Sequence, residues 1–251
     1  HVESVATAEV LAARITQPVG IWVEIDTGRK RTGVWWENRA LVLEISAVLR
    51  RSPLLSLRGV LAFAGQSYGA KSRAEIEAVY AGTQSVLASL QESLVSAGFG
   101  PVEISVGDTP TCSVVESLYG VDEIRPGTMV YYDVMQQVLG ACREEDIAIA
   151  MACPVIAKYP ERGELVIYGG AVHLSRDSAR LADGTTCFGL VTTFNETSWN
   201  RTAKDCFVSE LSQEIGIVRA SESFMNQISI GDVIAVLPAH VCLAMNEMGK
   251  F

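Results

Sequence analysis

Residues 20–34 read Gly-Ile-Trp-Val-Glu-Ile-Asp-Thr-Gly-Arg-Lys-Arg-Thr-Gly-Val, and the reading of this stretch decides the fold. Ile21, Val23 and Ile25 alternate with Trp22 and Glu24 in a run rich in β-branched and aromatic residues, which is the pattern of a strand. Asp26, Thr27 and Gly28 then form a turn, three cations follow (Arg29, Lys30 and Arg31), and Gly33 lets the chain leave. α/β folds build their sites at such strand ends, because the loops there converge on one crevice. On these residues alone, a solvated loop with its cations in water is the plainer alternative.

Working outward, the segment before this strand, Val2 to Arg14, has helical spacing, with Val5, Ala8, Leu11 and Ala12 on one stripe. After it, Leu41, Ile45, Val48 and Leu49 give an apolar face to a helix from about Asn38 to Arg50. A second strand, Gly59 to Phe63, runs into the loop Gly65-Gln-Ser-Tyr-Gly69. A long helix fits Ser72 to Ala97, closed by Gly98. Val102 to Val106 makes a third strand, a short helix is expected near Val114 to Leu118, and a fourth strand-like run covers Thr128 to Tyr132. Helices and strands therefore alternate, which argues for parallel strands joined by helical crossovers. The texture changes near Cys142 to Asp146. Beyond it come short apolar runs between turns, at 147–155, 164–168, 186–193 and 232–237, and these predict a mostly β domain.

Composition narrows the function. The chain has 251 residues, is 49% hydrophobic and carries a formal net charge of −9. That charge argues against nucleic-acid and acidic-membrane partners, which need a basic surface. No apolar run is long enough to span a bilayer, and the opening HVESVATAEVLAARI is amphipathic without signal-peptide architecture. The six cysteines are scattered with no C-x-x-C pair, so reduced thiols and a cytoplasmic setting are the expectation.

Four loops and one C-terminal motif carry the chemistry. Ser105 to Thr111, Ser-Val-Gly-Asp-Thr-Pro-Thr, offers a glycine, hydroxyls and backbone N–H groups between a strand and a helix, a workable phosphate cradle, although alone it reads better as an ordinary turn. Together the segments Asp26 to Gly33, Gly65-Gln-Ser-Tyr68, Ser105 to Thr111 and Glu123-Ile-Arg-Pro-Gly127 resemble the fold-type III pyridoxal phosphate enzymes. This is the alanine racemase-like group, and within it the D-serine dehydratase and D-threonine aldolase branch. The resemblance implies that Arg31 hydrogen-bonds the phenolic oxygen of the cofactor and that Tyr68 lies against its ring nitrogen. It further implies that Gly107, Thr109 and Gly127 hold the phosphate. Phe63 departs from the pattern, standing where the family has a histidine.

His240 and Cys242, in Leu237-Pro-Ala-His-Val-Cys242, are expected at the end of a strand, where an H-x-C alternation puts both side chains on one side. Imidazole and thiolate suit zinc, but two ligands leave a tetrahedral site open. By themselves they read more readily as core packing. In the family the corresponding pair holds a metal, and H-x-C resembles the zinc-binding form of D-serine dehydratases. Tyr168 to Asp177 and Ser212 to Gly216 also resemble strand motifs of the family's C-terminal domain; His173 is given a structural role only.

The resemblance thus implies an α/β fold in which residues 1–145 are the C-terminal half of a TIM-type (β/α) barrel and 146–251 a β-rich dehydratase-type domain. It implies a lyase that removes the β-hydroxyl of a small-molecule D-amino acid, with pyridoxal 5′-phosphate and zinc as cofactors, as a homodimer. D-threonine aldolase-type cleavage and a non-catalytic cofactor-binding module are the alternatives. The lysines at 30, 71, 158, 204 and 250 all lack the setting of the family's Schiff-base lysine, so no catalytic lysine is identified and the chain is expected to be inactive alone.

Overall fold

The computed structural model describes residues 1–249. They divide into two units, His1–Gly127 and the residues from Thr128 on. The first unit runs α1 (Val5–Arg14), β1 (Val19–Asp26), β2 (Val34–Trp35), α2 (Arg39–Arg50), β3 (Leu55–Ala62), α3 (Arg73–Ser96), β4 (Glu103–Val106), α4 (Thr109–Val114) and β5 (Glu123–Ile124). The strands form one parallel sheet in the order β2-β1-β3-β4-β5. The predicted helices begin where side chains cap them. Ser4, Asn38 and Ser72 each accept a backbone N–H of the first turn, and Gly98, at φ 80°, follows the end of α3.

Register sorts the sheet into two faces. Ile21, Val23, Ile25, Val60, Ala62, Ile104 and Val106 share one face, against which α2 and α3 pack through Ile45, Leu49, Leu87 and Leu90. The other face carries Trp22, Glu24, Leu61, Glu103, Ser105 and Glu123. There Arg58 Nε pairs with Glu103 at 2.8 Å, the two side chains 51% and 41% exposed. A helix-covered face backed by a polar one is what a section of barrel wall presents, and the unit is the expected partial (β/α) barrel.

The second unit contains α5 (Val134–Val138), β6 (Met151–Tyr159), β7 (Glu164–Tyr168), α6 (Ala171–Leu174), β8 (Ala179–Arg180), β9 (Thr186–Cys187), β10 (Gly189–Thr193), β11 (Phe207–Leu211), β12 (Ile215–Arg219), α7 (Glu222–Met225), β13 (Val233–Pro238) and α8 (Val241–Met248). Six of these strands close an antiparallel barrel in the order β10-β11-β12-β7-β6-β13, and β8 pairs with β9. Alternating positions point inward: Met151, Cys153 and Val155 from β6, Leu165 and Ile167 from β7, Ile234 and Val236 from β13. Closure removes the unpaired edges that an open sheet would present.

Several local expectations are corrected. The fourth parallel strand is Glu123–Ile124, not Thr128 to Tyr132. Pro126 and Gly127 interrupt the run, and residues 128–132 coil into turns in which Tyr131 and Tyr132 donate to the Thr128 carbonyl. The short helix starts at Thr109, earlier than Val114, because Asp108 caps it and Pro110 sits in its first turn. The expected strand motif Ser212 to Gly216 is a turn over 212–214 that leads into β12, and it follows a strand, β11, that the pattern does not predict. Residues 128–145 lie in the second unit. Asp133 caps α5 and also accepts the N–H of Val241, while Met135 N–H donates to the Ala239 carbonyl.

Candidate functional site

In the first unit Ile25, Ala62, Val106 and Ile124 are partners in one row across the sheet, so the four loops that follow them leave from the same edge. Those loops hold Arg31, Tyr68, Gly107 with Thr109, and Gly127, respectively. The first is shaped by Asp26, whose Oδ1 accepts the N–H groups of Gly28 and Lys30 at 2.9 and 3.0 Å. Arg31 then lies over the ring of Phe63, its guanidinium carbon 4.4 Å from the centroid, and the Phe63 and Tyr68 rings are 6.3 Å apart. Phe63, where the family pattern has a histidine, thus bridges two of the loops.

Tyr68 sits in a 3-10 turn, Gly65–Gly69, and is half-buried. The same turn is tied to the next loop by Ser67, whose hydroxyl donates to Asp108 Oδ1 at 2.7 Å. Asp108 also accepts the Thr111 N–H and hydroxyl at 2.8 and 2.7 Å. Ser67, Asp108 and Thr111 are all buried. Burial raises the Asp108 carboxyl above the usual range despite these hydrogen bonds and the nearby Arg125.

Gly107 is required where it stands, since a Cβ there would lie 2.9 Å from both the Cβ and the carbonyl oxygen of Arg125. Arg125 closes the edge. Its Nε donates to Ser105 Oγ at 2.8 Å and its second terminal nitrogen to the Ala62 carbonyl at 2.9 Å. Burial lowers this guanidinium's pKa. Gly127 has nothing within 4 Å of a would-be Cβ. Arginines, a phenol, a buried threonine and a glycine floor at one edge have the chemistry to hold a phosphorylated aromatic ring. Lys30 and Lys71, the lysines at this edge, are both exposed.

In the second unit the H-x-C pair differs from the extended arrangement expected. His240 is the extended residue before α8 (φ −133°, ψ 106°), and Cys242 already belongs to the helix. Proline at 238 ends the strand, and Asp133 fixes the turn by accepting Val241 N–H at 3.1 Å. His240 Nδ1 meets Asp177 Oδ2 at 2.6 Å. With the carboxylate as acceptor Nδ1 carries a proton, which leaves Nε2 as the ring nitrogen that could ligate a metal. Cys242 is exposed, and its thiol pKa is raised, first by burial of the sulfur's surroundings and then by the Asp133 charge. Among the described residues no group of three or more His, Cys, Asp or Glu side chains surrounds a metal position. The donors fit a soft divalent ion in an open site, not a closed structural one.

His173 keeps the structural role given to it, its Nδ1 accepting the Gly170 N–H and its ring packing edge-on against Tyr168 at 4.9 Å. Asp108, Arg125, Asp133 and Asp177 were not singled out from sequence. All four sit inside or beside quoted stretches, but nothing local links Asp177 to a histidine 63 positions away.

The family model described as "Alanine racemase, N-terminal domain" matches residues 1–134. The chain belongs to the alanine racemase-like family. Residues 148–251 match a second model, "Putative serine dehydratase domain". Curated relatives include a D-threo-3-hydroxyaspartate dehydratase from Delftia sp. (strain HT23), 28% identical over 250 residues. That match covers 96% of this chain and 64% of the relative. A D-serine dehydratase from Dictyostelium discoideum is 29% identical over 233 residues, covering 89% of this chain and 58% of the relative. The chain therefore spans less than two thirds of either. The solved Delftia dehydratase superposes with a TM-score of 0.86, covering 98% of this chain and 66% of that one. Its structures include a cysteine-to-alanine variant in a metal-free form and a histidine-to-alanine variant, the altered histidine two residues before the altered cysteine.

Proposed function

We propose that the full-length protein is a pyridoxal phosphate- and zinc-dependent lyase that removes the β-hydroxyl of a D-amino acid, giving a 2-oxo acid and ammonia. The observation that carries this reading is His240-x-Cys242 at the head of α8, with the imidazole held by Asp177 through Nδ1. Support comes from the dehydratase names of the relatives and from the same histidine–cysteine spacing in the Delftia variants.

Bound pyridoxal phosphate would supply the electron sink for the α-carbon, and zinc the Lewis acid for the departing hydroxyl. Arg31, braced on Phe63, would donate to the phenolic oxygen. The Tyr68 phenol would lie against the ring nitrogen, where a neutral partner would leave the ring a milder sink than a carboxylate would. Gly107, Thr109 and Gly127 receive the phosphate, with the Gly107 backbone kept close to Arg125 by the missing side chain. His240 Nε2 and Cys242 Sγ are the two protein donors to the metal. None of the five lysines is assigned the covalent attachment. A homodimer in the cytoplasm is part of the proposal, as is a division of labour between a cofactor-holding first unit and a metal-holding second one, the expected boundary at 145 moving to 127.

The test is Cys242→Ala in the full-length protein. Elimination from D-serine should be lost together with bound zinc, while the absorbance of bound cofactor stays, since that group is held in the other unit. A variant that keeps both zinc and activity would reduce the pair to packing.

A further inference from the structure

We infer that Asp177 and Asp133 are the positioning residues of the His240–Cys242 pair, Asp177 fixing the imidazole and Asp133 fixing the turn from which both donors project. The inference rests on the reading of that pair as metal donors. The backbone changes from extended at His240 to helical at Val241, so the relative direction of the two side chains depends on one peptide. The N–H of that peptide is the group Asp133 Oδ2 accepts, at 3.1 Å, while Oδ1 accepts Gln136 N–H at 2.9 Å. Asp133 is 1% exposed, with both oxygens spent on backbone, so it clamps the head of α8 to the head of α5. On the other side of the turn, Met135 N–H donates to the Ala239 carbonyl at 3.2 Å.

Asp177 acts on the ring itself. Its Oδ2 lies 2.6 Å from His240 Nδ1, and it follows α6, which packs against α8. An aspartate there holds one tautomer and one ring rotation. With only two protein donors, a metal gains little from ligand number and depends on their being held ready.

Zinc affinity of the full-length protein, measured by competition with a chromogenic chelator, tests this, with the absorption of the cobalt-substituted protein as a second readout. Asp177→Ala should weaken zinc about 10–100-fold and alter the cobalt spectrum, with far-UV circular dichroism unchanged. Asp177→Asn should recover most of the affinity, because its amide oxygen still accepts Nδ1–H. Asp133→Asn, which turns an NH2 toward one of the two backbone donors, should also weaken zinc if it folds; the Asp177 variants decide if it does not. Wild-type zinc affinity in Asp177→Ala, with His240→Ala and Cys242→Ala both losing zinc, would overturn the positioning role. So would an equal loss in Asp177→Asn and Asp177→Ala. Zinc retained by His240→Ala and Cys242→Ala would instead overturn the metal reading beneath it.

Discussion

Asp108 ties two loops of one sheet edge together. It joins the Tyr68 turn to the Ser105–Thr111 loop through Ser67 and Thr111, and it does so buried. Burial raises its folded pKa, so the protonated form is favoured by folding and the ionised form is penalised. Its contribution to stability is therefore present at low pH and is lost as pH rises through the folded pKa. Urea denaturation of wild type and Asp108→Asn from about pH 4 to 7, across the carboxylate range, should show wild type losing ground steadily to the variant as pH rises. A difference that grows in favour of wild type would mean a depressed pKa and contradict the burial argument. At this scale the placement of Arg31, Tyr68, Gly107 and Thr109 in loops after successive strands was legible, because each sits in the loop that its own strand feeds. Asp177 and His240 were not, because their pairing is set by the tertiary fold and leaves no local trace.

Among elements, the parallel strands and capped helices of the first unit were legible because period, cap and turn chemistry agree. The Asn38 and Ser72 caps and Gly98 all fall where pattern alone put the helix ends. The fourth strand was misplaced because Met129, Val130 and Tyr131 look strand-like, yet Val130 is 75% exposed and buries nothing. The pattern does not show β11 because Ser209 and Glu210 dilute its alternation, and it shows β12 only at its start, within Ser212 to Gly216. The close approach at Gly59 was equally invisible. A Cβ there would lie 2.0 Å from the Glu103 carbonyl oxygen and 2.6 Å from the Trp22 ring. Gly59→Ala must push β3 away from β4 or shift Trp22, and should cost about 1–3 kcal/mol in urea or thermal unfolding. An unchanged midpoint would show that the strand spacing is wrong.

For the molecule as a whole, the contrast between an alternating α/β unit and an antiparallel barrel was visible in the change of sequence texture. The same holds for the gathering of polar loops at one sheet edge, since parallel strands bring their C-terminal ends together. An acidic chain of net charge −9 nevertheless carries Arg29, Lys30, Arg31 and Arg125 at that edge, which is the local electrostatics an anionic cofactor needs. The central claim is that the full-length protein uses this edge and the His240–Cys242 pair to eliminate a β-hydroxyl. The most direct measurement is product analysis after incubating the full-length protein with pyridoxal phosphate, zinc and either D-serine or D-threo-3-hydroxyaspartate. The predicted result is 2-oxo acid and ammonia in equal amounts, abolished by a chelator and restored by zinc. Glycine with an aldehyde from a β-hydroxy D-amino acid, or no product while both cofactors are demonstrably bound, would contradict it.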